Sequence, residues 1–94
     1  MILINPNDYI LSHFEISKHK NKKYDAILFN KYNSKKAIIS FGDKRYQQYH
    51  DRLGYYKHLN HGDKTRKLNY RKRHVKDIGN KYSSGWFSLH YLWS

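Results

Sequence analysis

Residues 24–41 read YDAILFNKYNSKKAIISF, and this stretch decides the fold. Tyr24 to Phe29 and Ala37 to Phe41 are rich in Ile and Phe, side chains that suit a pleated, half-buried surface. The polar link from Asn30 to Lys36 carries Asn33 and Ser34, which supply turn chemistry. Strands joined by so short a link pair antiparallel. Upstream, Tyr9 to Ser17 alternates with a period of two, which puts Ile10, Phe14 and Ile16 on one face and His13 and Glu15 on the other. Lys18 to Lys22 forms a basic turn into the next strand. The pattern predicts an α+β domain: a small antiparallel three-stranded meander followed by two or three short helices.

The expected helices begin where the sheet ends at Gly42-Asp43. Asp43 could cap a helix from Asp43 to Leu53, its carboxylate accepting bonds from first-turn amides. Tyr46, Tyr49 and Leu53 would share one face of it, and Gly54 would stop it. Tyr55 to Gly62 reads as a loop. Asp63 is a second capping candidate, before a helix from Lys64 to about Lys76. Gly79 to Tyr82 is another break. Ser83 or Ser84 could cap a last helix, Gly85 to Trp93, apolar nearly all round and therefore expected to be buried.

Composition bounds the function. The chain has 94 residues, enough for a single domain over 1–94. Nineteen Lys and Arg oppose seven Asp and Glu, for a formal charge of +12, and Cys is absent. A disulfide framework and a thiolate metal site are thereby excluded. No apolar run approaches the ~18–20 residues that cross a bilayer. The start, MILINPND, is apolar for four residues without a leading basic region, so a signal peptide is not expected. A soluble intracellular or particle-enclosed protein is the expectation. Aromatic residues make up 17% of the chain, ten of them Tyr, whereas disordered basic tails are poor in aromatics.

The most informative stretch for function is residues 64–76, KTRKLNYRKRHVK, which contains no acid. As a helix it places Arg66, Tyr70 and Arg73 on one face and Lys67, Arg71 and His74 on a neighbouring one. Leu68 and Val75 supply a narrow apolar stripe. Such a helix repels itself unless an anion neutralises it, and phosphates do so well because Arg offers a planar fork. Arg66, Lys67, Tyr70, Arg71, Lys72 and Arg73 are therefore candidate nucleic-acid contacts. Lys18, Lys20, Lys22 and Lys23 at the hairpin tip form a second group, although lysines there could simply keep a turn solvated. Tyr46, Tyr49, Tyr55, Tyr56 and Tyr70 interleave with basic residues; they could stack on bases or fill a small core.

Other chemistry finds less support. His58 and His61 lie three apart with Asp63 nearby, and with His50 and Asp51 they could be imagined around zinc. The spacing lacks the logic of an HExxH helix, and Asp63 already has a capping task, so neither metal nor cofactor is expected. A nuclease centre from His58, His61, Asp51 and Asp63 is conceivable. There is no Cys nucleophile, no Ser at a strand-turn-helix elbow and no Gly-rich phosphate loop.

The run FGDKRYQQYHDRLGYYKHLNHGDKTRKLNYRKRH, followed by SSGWFSLHYLW, resembles a family of small, basic, uncharacterised proteins of large nucleocytoplasmic DNA viruses and some phages. The matching positions are Phe41-Gly42, Tyr46, Tyr49, His61-Gly62-Asp63, Arg66, Tyr70, Arg73-His74 and Leu92-Trp93. The likeness covers about residues 23–93; residues 1–22, with the first strand and basic tip, stand outside it. Lys67 departs from the pattern, standing where relatives carry a second Arg, which keeps the charge and loses the fork. The resemblance implies a viral origin and a small virion-associated protein, in the particle or the host cytoplasm where particles are built, and no catalytic residue.

Three functions are therefore expected in turn. The first is a non-enzymatic basic protein that binds nucleic acid, DNA before RNA, through phosphate contacts. The second is a minor capsid or cement protein, in which Trp86, Phe87, Tyr91, Trp93 and the apolar start, Ile2 to Ile4, bury against a virion partner. The third is a small metal-dependent nuclease.

Overall fold

The computed structural model describes residues 5–94. It holds a three-stranded antiparallel sheet in the order β1 (Tyr9–Ile16), β2 (Lys22–Asn30), β3 (Lys36–Asp43), followed by the helices α1 (Lys64–Arg73) and α2 (Ser84–Tyr91). Short 3-10 turns lie at Pro6–Asp8, Lys57–Leu59 and Val75–Gly79. The small α+β meander with two α-helices is thus the observed architecture. Among the described residues no helix is long and apolar enough to cross a membrane. The apolar start, Ile2 to Ile4, lies outside the described residues.

The core forms on one face of the sheet. Tyr24, Ala26 and Leu28 of β2 and Ala37, Ile39 and Phe41 of β3 are buried there, because their two-residue period sends them to the same side. α2 packs on β3 and contributes Phe87, followed by Leu92 just beyond its end. Phe41 and Phe87 stack with ring centroids 5.3 Å apart, and Phe14 meets both edge-on at 5.8 and 5.9 Å. Ser83, not Ser84, caps α2, accepting the amide of Trp86 at 3.1 Å. Of the C-terminal aromatics, Phe87 is core, and Trp86, Tyr91 and Trp93 pack half-buried against it.

Two expectations need correction. In β1 the alternation is broken by a bulge between Leu11 and His13. Tyr9, Leu11 and Phe14 consequently pack against the core and Ile10 turns away at 56% exposure, while Ile16, opposite Tyr24 on the side of Phe14, is 42% exposed at the end of the strand. A bulge inserts one residue and reverses the facing of those beyond it, so a strict period of two misassigns one side. The larger correction is the expected helix from Asp43 to Leu53, which does not form. Asp43 ends β3 and accepts the amide of Arg45 at 2.9 Å, a turn motif, while its two oxygens take Nε and Nη2 of Arg45 at 3.0 and 2.7 Å. That fork holds the carboxyl down to about 2.

Residues 44–62 are an irregular layer organised by buried polar side chains. Gln48 is fully buried; its amide nitrogen donates to the carbonyl of Tyr56 at 2.9 Å and to Oδ1 of Asn60 at 2.6 Å. Asp51, 1% exposed, accepts from the Tyr24 hydroxyl, the Tyr56 amide and the Leu53 amide. The amides of His50 and Arg52 donate to the carbonyls of Leu92 and Tyr91, tying the layer to the end of α2. Backbone groups that a helix would have paired internally are paired here with side chains and a distant segment.

Candidate nucleic-acid interface

Asp63 caps α1 as its sequence position requires, accepting the amides of Thr65 and Arg66 at 2.9 and 3.2 Å. The helix ends at Arg73, short of Lys76. The side it turns to the body is not the apolar stripe: Leu68 and Val75 are 55% and 59% exposed. Tyr70 faces inward instead and stacks flat on Trp93, with centroids 4.1 Å apart and planes 4° from parallel. His74 covers the other side of Tyr70 at 4.2 Å. Aromatic area outweighs two isolated aliphatic side chains in choosing the buried side.

This rotation decides where each candidate cation goes. Arg66, Tyr70 and Arg73, the face read from the sequence, line a recess of about 300 Å³ whose other walls include Ser88 and Trp93. Lys23 also lines it, although it is only 2% exposed. Its Nζ donates to the carbonyl of Tyr46 at 2.9 Å and to Oε1 of Gln48 at 2.6 Å. An ammonium carries three protons, and these two acceptors account for two of them. Burial lowers its pKa from 10.5 to about 8, against the opposing pull of Asp51 and Asp43.

Gly42 makes this placement possible. It sits at φ +76°, and a Cβ there would lie 2.9 Å from Leu92 Cδ1 and 3.1 Å from both Cβ and Cδ of Lys23. Only glycine leaves room for the lysine stem to cross the end of β3 at that backbone angle. Among the described residues, no carboxylate lies within 4 Å of the charged groups of Lys23, Arg66 or Arg73. Asp43 borders the recess, but Arg45 holds both of its oxygens.

The other candidates part company. Lys72 is exposed on α1. Lys67 lies over the Tyr49 ring at 4.6 Å, a cation–π contact. The guanidinium of Arg71 turns inward, donating to the carbonyls of Leu89 and Trp93 at 3.4 and 3.3 Å, so it neutralises the end of α2. At the hairpin tip Lys18, Lys20 and Lys22 are exposed while Lys23 is withdrawn into the recess. The tip lies at the same end of the sheet as the recess, since Lys22 pairs with Asp43 and the Lys44 amide donates to the Asn21 carbonyl. Of the tyrosines, Tyr56 is core, Tyr46 and Tyr55 are exposed, and Tyr49 is half-buried.

The histidine constellation is dispersed. His58 is exposed beside Tyr56, whereas His61 is packed between Trp93 and Tyr49. Nδ1 of His61 accepts the Asp63 amide at 2.9 Å, and burial, reinforced by Arg66, lowers its pKa. Asp51 is consumed by the polar layer and Asp63 by the α1 cap. Among the described residues no group of three or more His, Cys, Asp or Glu is placed to hold a metal ion.

Lys23 is the residue whose role sequence reasoning missed. Its sequence position groups it with the solvated tip, and its withdrawal depends on Gly42 and on Gln48, 25 positions away. No family model, no curated protein and no solved structure matches the chain.

Proposed function

We propose that the protein is a non-enzymatic, nucleic-acid-binding basic protein that engages phosphates through the recess and the basic surface around it. The observation that carries this reading is the gathering of Lys23, Arg66 and Arg73 on one recess without a neutralising carboxylate. Lys23 and Arg66 donate only to neutral acceptors of Tyr46, Gln48 and Gln47, so an anion would add a charged partner, and guanidinium forks match phosphate oxygens. Lys72 on α1 and Lys18, Lys20 and Lys22 at the tip extend the positive surface. DNA is the preferred partner and the virion, or the cytoplasmic site of its assembly, the preferred location, on the strength of the viral resemblance. The dispersal of Asp51, Asp63, His58 and His61 supports binding over hydrolysis.

A titration of the purified protein against duplex and single-stranded DNA at several salt concentrations tests this. Log affinity should fall linearly with log salt, by about 0.7–0.9 per phosphate contact. Absence of salt-sensitive binding at low ionic strength would remove the reading. One observation favours the capsid alternative in that event. The sheet face opposite the core shows Ile10, Phe29 and Ile38 at 56%, 38% and 42% exposure, an apolar surface of the kind a shell partner covers.

A further inference from the structure

We propose that the recess over Lys23 takes the terminal phosphate of a nucleic-acid strand and so recognises strand ends. The inference rests on the nucleic-acid reading above and assigns a chemical class to its central site. Depth is the first argument. An internal phosphate of a duplex lies on a convex surface with ester links on both sides, and cannot descend into a recess walled by a residue that is only 2% exposed. A terminal phosphate has one ester link and leads the strand into a hole.

Charge is the second argument. A terminal phosphate carries close to two negative charges at neutral pH, since its second pKa is about 6, whereas an internal one carries a single charge. The recess offers an ammonium and two guanidinium groups, and the carboxylate at its border is occupied by Arg45. Arg66 and Arg73 are seven residues apart on α1, about 10 Å along its axis, so their long side chains flank an object between them.

Shape is the third argument. A second recess of about 280 Å³ is lined by Arg66, Asn69, Arg73 and Trp93 and shares both arginines and Trp93 with the first. It gives the first nucleoside a place to lie, with the Asn69 amide at hand, while its phosphate points toward Lys23.

The test uses the full chain and fluorescence anisotropy with one single-stranded DNA 12-mer made in three forms: 5′-phosphate, 3′-phosphate and hydroxyl at both ends. One phosphorylated form should bind about tenfold or more tightly than the hydroxyl form, a gain of about 1.4 kcal/mol or more; which form does so identifies the end. Arg66 and Arg73 are themselves exposed, so Arg66→Gln and Arg73→Gln should fold. Each should erase most of that preference, while Lys35→Gln, exposed in the turn at the other end of the sheet, should leave it in place. Equal binding of all three forms overturns the proposal and leaves the general phosphate reading intact, provided that binding is salt-sensitive. Failure of every form to bind at low salt overturns both. Competition with inorganic phosphate separates the sources: millimolar phosphate should remove the end preference. If phosphate itself binds but no oligonucleotide end is preferred, strand-end recognition is wrong.

Discussion

The two halves of this molecule are held together by different physics. In the sheet and α2 the contacts are apolar: Phe41, Phe87, Ile39, Leu28 and Leu92 are buried to within 1% and interdigitate. Where residues 44–62 meet the end of the sheet, the buried polar groups are Lys23 of β2, Gln48 and Asp51, linked by hydrogen bonds through Tyr56 and Asn60. Apolar burial is tolerant of geometry and scales with area. A buried polar network stabilises only when every member is satisfied, and it costs several kcal/mol when one partner is lost. The first half can hold the fold while the second holds charged groups at positions where water alone would not keep them.

The largest effect expected from breaking this arrangement is in the apolar half. Phe87→Ala removes a ring packed against Phe14, Phe41 and Tyr82 and should cost about 3–5 kcal/mol in denaturant unfolding. A loss below about 1 kcal/mol would mean that α2 does not anchor the core. In the polar half, Asp51→Ala strands the Tyr24 hydroxyl and the amides of Leu53 and Tyr56. It should cost about 2–4 kcal/mol, and Asp51→Asn, which keeps an acceptor, should cost less. Should both variants unfold like the parent protein, the polar layer would be decoration.

Lys23 sharpens the contrast through pH. The folded protein releases its proton near pH 8 and the unfolded chain near 10.5, so between these values the unfolded state binds more protons and stability rises with pH. The full span corresponds to roughly 3 kcal/mol of burial cost that is present below pH 8 and relieved by 10.5. Above pH 10 the trend reverses. Burial and the Asp51 hydrogen bond raise the Tyr24 hydroxyl above its ordinary 10.0, so the unfolded chain ionises first there. Chemical denaturation from pH 7 to 11 should show the rise and the turnover in the parent protein. In Lys23→Met the rise should vanish, with stability at pH 7 within about 1 kcal/mol of the parent, since relief of desolvation offsets the lost donor to Gln48.

The smallest expected effect separates two arginines of one helix. Arg71→Ala should cost about 0.5–1.5 kcal/mol of stability, because its guanidinium serves the Leu89 and Trp93 carbonyls. It should leave the salt slope of DNA binding nearly unchanged. Arg73→Ala should do the reverse, flattening the slope by about 0.7–0.9 with little change in midpoint. Equal behaviour of the two would refute the division of α1 into a face that supports and a face that binds.

The three strands, the basic helix with its Asp63 cap and the buried last helix, with its cap narrowed to Ser83 or Ser84, were all legible in the residues, because each rests on local periodicity and on side chains that act within a few positions. The pairing of Arg66, Tyr70 and Arg73 on one face was legible for the same reason. Three things were not. The bulge at Leu11–His13 leaves the composition of β1 unchanged while reversing its facing. The stretch from Asp43 to Leu53 carries a good cap and helical spacing, yet Gln48 and Asp51 are drawn into contacts with Lys23, Tyr24, Tyr56 and Asn60. Lys23 itself looks like any lysine beside a turn.

By itself, then, the amino-acid order determined the three strands, the two α-helices and that the chain carries an excess of positive charge. Only the tertiary structure decided which of those charges leave water, because that depends on partners 20 or more residues away. The Gly42 backbone opens a path for Lys23, and the Tyr46 carbonyl and Gln48 amide accept its protons. A cation is withdrawn from solvent only where the folded chain has already assembled acceptors to receive it, and no local pattern encodes that assembly.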